Sequence, residues 1–109
     1  MNLGHGVYMS SVTTDEWSPD PEVGGEMHTL VAEDGIEAGL SRFGPDRRDP
    51  VIWTLPHREI LMILEGEAVI EIEGGPTLRL KTGDIASLPK GAQTTWHLTT
   101  PFKEFWILA

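Results

Sequence analysis

Residues 56–66 read PHREILMILEG, a stretch that carries both a strand signal and two chemically useful side chains. Its apolar run has the length of a β-strand, follows His57 and Glu59, and ends near Gly66. If the strand is regular from its start, His57 and Glu59 point to the same side. The pair therefore fits half of a metal site, an acid/base couple or an ordinary charged entrance to a strand.

Short β-prone runs separated by turn signals extend from this stretch in both directions. They are EMHTLVA, IEAGLSRF, VIWTL, EAVIEIE, TLRL, IASL, TTWHLT and EFWIL. No segment of ten or more residues keeps a 3.6-residue apolar period, so helix should be nearly absent. The pattern predicts an irregular N-terminal arm over residues 1–25 and a single all-β sandwich or barrel over residues 26–109.

The clearest predicted hairpin is residues 67–81, EAVIEIEGGPTLRLK. Apolar residues alternate with acidic ones on its first strand and with polar ones on its second. Matching the two apolar faces pairs Ile72 with Leu78 and Ile70 with Leu80, which leaves a loop of two glycines and a proline. Nothing in this hairpin suggests catalysis.

Composition limits the classes of partner. The 109 residues suffice for one domain around one hydrophobic core. A net charge of −9 repels phosphate backbones and anionic lipids, so neither nucleic acid nor a membrane surface is an expected partner. There is no cysteine for a disulfide, a thiolate nucleophile or a Cys-based zinc site. With no export signal or membrane-spanning run recognisable, a cytoplasmic location is predicted.

Two short motifs flank the hairpin in a definite order. The first is a glutamate, six residues and a glycine, from Glu59 to Gly66, and the second is glycine, five residues, proline, one residue and glycine, from Gly83 to Gly91. Together they resemble the paired signature of the cupin superfamily over residues 51–109. The amino-acid sequence of this region is most similar to that of the small single-domain cupins of the ureidoglycine aminohydrolase C-terminal and ethanolamine-utilisation Q-type group. The resemblance implies an RmlC-like jelly roll, a double-stranded β-helix barrel, with an interior pocket and a tendency to form homodimers.

Metal-binding cupins carry a His-x-His pair before the motif glutamate and a further His after the second motif. The resemblance places these ligands at Ile52 and Thr54, or at Trp53 and Leu55, and at Thr94. Only the motif glutamate remains, and one carboxylate cannot hold a transition metal against water. No cofactor is therefore firmly predicted.

A divalent metal held by a non-standard set of side chains remains an alternative. The residues that could supply it are Glu59, His57 and either His28 or Gln93.

Glu59 and His57 are the predicted catalytic residues. An inward Glu59 carboxyl at the start of an apolar strand would be desolvated and its pKa raised, which suits a general acid or base or a ligand anchor. The alternative is a structural carboxylate paired with Arg42 or Arg58. His57 titrates near neutrality and could relay a proton beside Glu59, or could simply be solvated.

Four further residues are predicted to bind a ligand. Trp96 and Thr94 share parity at the second motif, and Trp53 lies on the opposite strand. Each tryptophan could equally be a core aromatic. Arg42 could enter the barrel and hold a substrate carboxylate. Trp106, in the last strand, is interpreted as a dimer-interface residue.

These residues predict a small-molecule-binding cupin whose activity stays open. One reading is a metal-independent isomerase, lyase or hydrolase in which Glu59 is the acid/base group or ligand anchor. A second is a non-catalytic ligand-binding or regulatory module, and a third is a metal-dependent enzyme with a non-standard ligand set. The expected partners are a small molecule and a second copy of the chain.

Overall fold

The computed structural model describes residues 1–47 and 49–109, and this part of the chain forms ten β-strands and no helix. The strands are β1 Asn2–Gly4, β2 Val7–Tyr8, β3 Ser18–Pro19, β4 Glu26–Glu33, β5 Ile36–Phe43, β6 Val51–Thr54, β7 Glu59–Ile72, β8 Thr77–Lys81, β9 Ile85–Leu88 and β10 Gln93–Leu108. The predicted all-β jelly roll is confirmed. A helix long and apolar enough to span a membrane is not found in the described residues.

Two long strands, β7 and β10, each take part in both layers of the jelly roll. The end of β10 pairs with the start of β7, and the start of β10 pairs with the end of β7. One layer consequently has the order β3-β4-β5-β10-β7-β9, and the other has the order β6-β10-β7-β8. All these pairs are antiparallel.

Gly66 lies where β7 passes from one layer to the other. Its φ of 80° is in the left-handed region. A Cβ at this position would lie 2.4 Å from the carbonyl oxygen of Thr99 and 2.6 Å from that of Pro101. Only glycine allows the two long strands to approach this closely, so the motif glycine has a structural role.

The core lies between the layers and is built by alternate residues of β5, β7 and β10. Its buried members include Phe43, Leu55, Leu61, Ile63, Ala68, Ile70, Leu88, Trp96, Phe102, Trp106 and Leu108. On β7 the inward positions change from odd to even numbers across Gly66, whereas on β10 they stay even. Both strands therefore bury apolar side chains over their full length.

The hairpin of β7 and β8 has a different register from the one predicted. Ile70 pairs with Leu78, and Ala68 pairs with Leu80, a shift of two residues. Ile72 instead pairs with Thr94 of β10, and the turn occupies residues 73–76. Because side chains alternate with a period of two, this shift leaves every residue on the face that was predicted.

The N-terminal arm packs on the outer face of β4, β5 and β10. The guanidinium carbon of Arg42 lies 4.1 Å from the ring centre of Trp17, and Lys103 Nζ donates a hydrogen bond to the Val12 carbonyl at 3.1 Å. His28 bonds to the Ser10 hydroxyl at 2.7 Å. The division at residue 25 stays a prediction, although β3 already pairs with β4.

Candidate functional site

A cavity of about 300 Å³ opens between the two layers, close to the start of β7, where the first motif begins. Its walls are largely aromatic and are formed by Phe43, Trp53, Trp96, Phe102 and Trp106. The volume lies at the lower end of the range of small-molecule pockets in proteins. Two buried carboxyl side chains from neighbouring strands also line it, and their environment determines what the cavity can do.

Glu59, the first residue of β7, is 2% exposed and lines the cavity. It is in phase with Leu61 and Ile63, which turns its side chain to the interior. Burial raises the pKa of Glu59 to about 8, and its Oε1 has no hydrogen-bond partner. At neutral pH this carboxyl is therefore mostly protonated. Its catalytic role stays a prediction.

Neither Arg42 nor Arg58 pairs with Glu59. The Arg42 guanidinium bonds to Glu26 at 2.9 Å, and Arg58 Nη1 donates to the Ser87 hydroxyl at 2.8 Å. The reading of Glu59 as the structural half of an ion pair with either arginine is therefore wrong.

Glu104 of β10 is the residue that the sequence reading missed. Its side chain is 7% exposed, lines the same cavity, and leaves Oε2 without a partner. Burial, and secondly the charge of Glu59, raise the pKa of Glu104 well above its usual range. The signal was its parity with Phe102 and Trp106, but both parities of FKEFWIL contain large apolar residues, so alternation alone did not identify the inner face.

Trp96 lines the cavity and is held from behind by a threonine. Its Nε1 donates to Thr94 Oγ1 at 2.9 Å, and that hydroxyl donates to the Trp53 carbonyl at 2.7 Å. Thr94 is buried but is not among the residues that line the cavity. Thr94 therefore holds Trp96 in place, whereas Trp96 and Trp53 line the cavity, and the binding of a ligand by these two tryptophans stays a prediction.

Trp106 is inside the barrel, so its predicted place at a dimer interface is wrong. The side chain is buried, lines the cavity, and donates from Nε1 to the Ser41 hydroxyl at 2.7 Å. Trp106 points into the barrel because it is two residues from Glu104, so both side chains lie on the inward face of β10.

Arg42 does not enter the barrel. Ser41 and Phe43 line the cavity, so the intervening Arg42 points to the outer face, where it bonds to Glu26. Its predicted contact with a substrate carboxylate inside the barrel is therefore wrong.

His57 lies in the connection between β6 and β7, is exposed, and lines the cavity. Sequence and structure thus bring His57 and Glu59 to one site. His28 alternates with the cavity-lining Met27 and faces the arm, where its Nδ1 bonds to the Glu16 carbonyl at 2.8 Å. Gln93 is exposed and is not a lining residue.

The metal set of the cupin superfamily does not fit this site. Within residues 1–47 and 49–109 there is no group of three or more His, Asp and Glu side chains that could hold a metal ion. The alternative set of Glu59 and His57 with His28 or Gln93 fails because the last two lie away from the cavity.

The jelly roll has two layers with a cavity between them, and Glu59, the glutamate of the first motif, lines that cavity. This arrangement defines a cupin. The family of EutQ-like cupin domains matches residues 51–105, and the chain belongs to this family.

Relatives of known sequence or structure support this assignment. Acetate kinase EutQ of Escherichia coli strain K12 is 38% identical over 55 residues, which are 50% of this chain and 23% of that protein. The ethanolamine utilization protein Q of Salmonella typhimurium LT2 is 31% identical, with a TM-score of 0.62 over 79% of this chain and 68% of that one. The EutQ protein of Clostridium difficile is 18% identical, with a TM-score of 0.64 over 82% of this chain and 70% of that one. The chain spans less than a quarter of the length of the curated relative.

Proposed function

We propose that the protein binds a small organic molecule in the barrel cavity and that Glu59 and Glu104 exchange protons with it. The observation that carries this proposal is the pair of buried carboxyls, each with an oxygen that lacks a hydrogen-bond partner. Leaving such groups unpaired in an apolar site costs free energy. A ligand that hydrogen-bonds to both oxygens would remove that cost.

The elevated pKa values suit acid/base chemistry near neutral pH. A carboxyl with a pKa of about 8 can donate a proton at pH 7 and accept one after it has ionised. Ionisation of Glu59 opposes ionisation of Glu104, so the pair favours a singly ionised state at intermediate pH. In that state the protonated carboxyl can donate to one ligand atom while the ionised carboxylate removes a proton from another. Isomerisation, elimination and hydrolysis all use this pairing.

His57 could carry protons between this pair and solvent. It lies beside Glu59 in sequence, lines the same cavity and is exposed. An imidazole titrates in the physiological range and can bind a proton from water and release it again.

The test uses the wild type, Glu59→Gln, Glu104→Gln and the exposed control Glu67→Gln. Each protein is incubated in D₂O with a panel of small carbonyl, amino and hydroxy compounds, and products and deuterium incorporation are measured by NMR. Turnover that is lost in the two buried variants and kept in Glu67→Gln would support catalysis. Binding without turnover would favour the ligand-binding module, and absence of binding across the panel would contradict the proposal.

We do not extend phosphoryl transfer from the acetate kinase relative to this chain. The sequence has no phosphate-cradling glycine loop, and neither Lys nor Arg is among the described residues that line the cavity. Nucleotides and acetate are anions and would meet buried acidic groups in this cavity.

A homodimer and a cytoplasmic location complete the proposal. Support for the dimer comes from exposed apolar side chains on the outer face of β7 and β9, where Met62 lies opposite Ile85 and next to Ile60. Ile85 is 73% exposed. Light scattering should give twice the 12.0 kDa mass of one chain, and the mass of a single chain would contradict the dimer.

The absence of cysteine supports the cytoplasmic location.

A further inference from the structure

We propose that the ligand of the cavity is a small organic cation, a protonated or quaternary amine. This inference rests on the proposed function, because it uses the same cavity, and it adds the chemical class of the ligand. Three independent features of the lining support it: the sign of its charged groups, its hydrogen-bonding groups and its aromatic surfaces.

The charged groups of the lining are almost all acidic. Glu59 and Glu104 lie in the interior, Glu37 comes from β5, and Asp20 and Glu22 precede β4. His57 is the single basic residue among the described lining residues. A cation entering this cavity would be attracted by its acidic residues most strongly when Glu59 and Glu104 are ionised, and in that state a carboxylate or phosphate would be repelled.

The hydrogen-bonding groups of the lining favour a donor ligand when Glu59 and Glu104 are ionised. The indole N–H groups of Trp96 and Trp106 are used by Thr94 and Ser41, so neither is available to a ligand. The unpartnered carboxyl oxygens, once ionised, only accept. A protonated amine has donors and no acceptor, which complements this inventory, and its N–H groups would form charge-assisted bonds.

The walls contain five aromatic side chains. Trp53, Trp96 and Trp106 line the cavity together with two phenylalanines. Tryptophan has the most favourable ring for a cation–π interaction, and such interactions are strongest where water is removed. A volume of about 300 Å³ corresponds to about ten water molecules, so the ligand must be small.

Binding of a cation should be linked to loss of protons from the carboxyls. A cation stabilises the ionised form, so it must displace protons wherever Glu59 and Glu104 are protonated in the free protein. The other titratable groups that face the cavity are Glu37, His57 and the Asp20/Glu22 pair. Affinity for a cation of fixed charge should rise with pH through the range in which Glu59 and Glu104 ionise.

The experiment compares three probes of nearly equal shape: tetramethylammonium, tert-butanol and pivalate. Their affinities are measured by NMR from shifts of the indole N–H signals of the cavity tryptophans, between pH 6 and pH 9. Tetramethylammonium should bind most tightly and gain up to about tenfold per pH unit below pH 8. Glu59→Gln and Glu104→Gln should each weaken it by about tenfold or more, and Glu67→Gln should leave it unchanged.

The outcomes separate this inference from the proposed function. If tert-butanol or pivalate binds as tightly as tetramethylammonium, or if the two buried variants bind tetramethylammonium like the wild type, the inference is overturned while small-molecule binding stands. If none of the probes shifts a cavity signal at any pH, both are overturned.

Discussion

Glu59 on β7 and Glu104 on β10 line one cavity, and the negative charge of Glu59 raises the pKa of Glu104. In the pairing of the two strands, Glu59 lies opposite Leu108 and Glu104 opposite Ile63, with Leu61 and Trp106 between these pairs. An apolar pair thus separates the positions from which the two carboxyls reach into the barrel. Each carboxyl keeps one buried oxygen without a hydrogen-bond partner.

Rising pH should destabilise the wild type through Glu59. Its pKa is raised from 4.5 to about 8 on folding, so the native state binds more protons than the unfolded state between these values. The stabilisation is complete below about pH 4.5 and is lost as pH rises to about 8, an amount of up to about 5 kcal/mol. Urea unfolding at pH 5 and pH 8.5 measures it.

Glu59→Gln should lose less stability than the wild type over this range, because only Glu104 still ionises inside the barrel. The exposed variant Glu67→Gln should follow the wild type. Identical pH dependence in all three proteins would show that Glu59 is not desolvated.

Glu59→Gln should also lower the pKa of Glu104. The charge of Glu59 is one cause of the elevated value, but burial is the larger cause. The Glu104 carboxyl carbon should therefore titrate at lower pH in Glu59→Gln, yet above the usual glutamate range. A Glu104 titration that is unchanged in the variant would mean that the two carboxyls do not interact.

Thr94→Val should destabilise the fold even though the two side chains have almost the same shape. The substitution leaves the Trp96 indole N–H and the Trp53 carbonyl without their partner, at a cost of about 2–3 kcal/mol. Thr99→Val, at an exposed position of the same strand, should change stability by about 0.5 kcal/mol or less. Chemical denaturation of both variants gives the difference, and equal costs would rule out the orienting role of Thr94.

Gly66→Ala should be far more damaging than Gly74→Ala. Both glycines have positive φ, which costs about 1–2 kcal/mol in a residue with a Cβ. Only at Gly66 would the Cβ also meet backbone oxygens within 2.6 Å, whereas nothing lies within 4 Å at Gly74. The expected cost at Gly66 exceeds about 3 kcal/mol or prevents folding. Similar thermal unfolding midpoints for the two variants would refute the close approach of β7 and β10.

The fold was readable from the sequence because its signals are local. Strand periodicity, turn residues and the two motifs all depend on neighbouring positions, and the buried Glu59 followed from its place in an apolar strand. The register of β8 could not be predicted from neighbouring positions. Ile72 pairs with β10 rather than β8, and a hairpin sequence alone cannot anticipate a competing third strand.

The second half of the site was hidden for a related reason. Glu104 shares the even inward parity of Trp96, but Phe105 and Ile107 make the odd parity apolar too, so alternation alone did not identify its face. Arg42 was placed in the barrel because the inward phase of β5 is not visible in IEAGLSRF, where a small or apolar residue occupies both phases. Only the three-dimensional pairing shows that Ser41, not Arg42, faces Trp106.

The most direct test of a protonated carboxyl in the cavity is an NMR titration of the Glu59 side-chain carboxyl carbon in the wild-type protein, assigned with Glu59→Gln. A midpoint of about 8 is expected, because the group is buried without a compensating partner. A midpoint near the ordinary value of 4.5 would contradict the account, since an ionised Glu59 at neutral pH could not act as the proton donor proposed for this cavity.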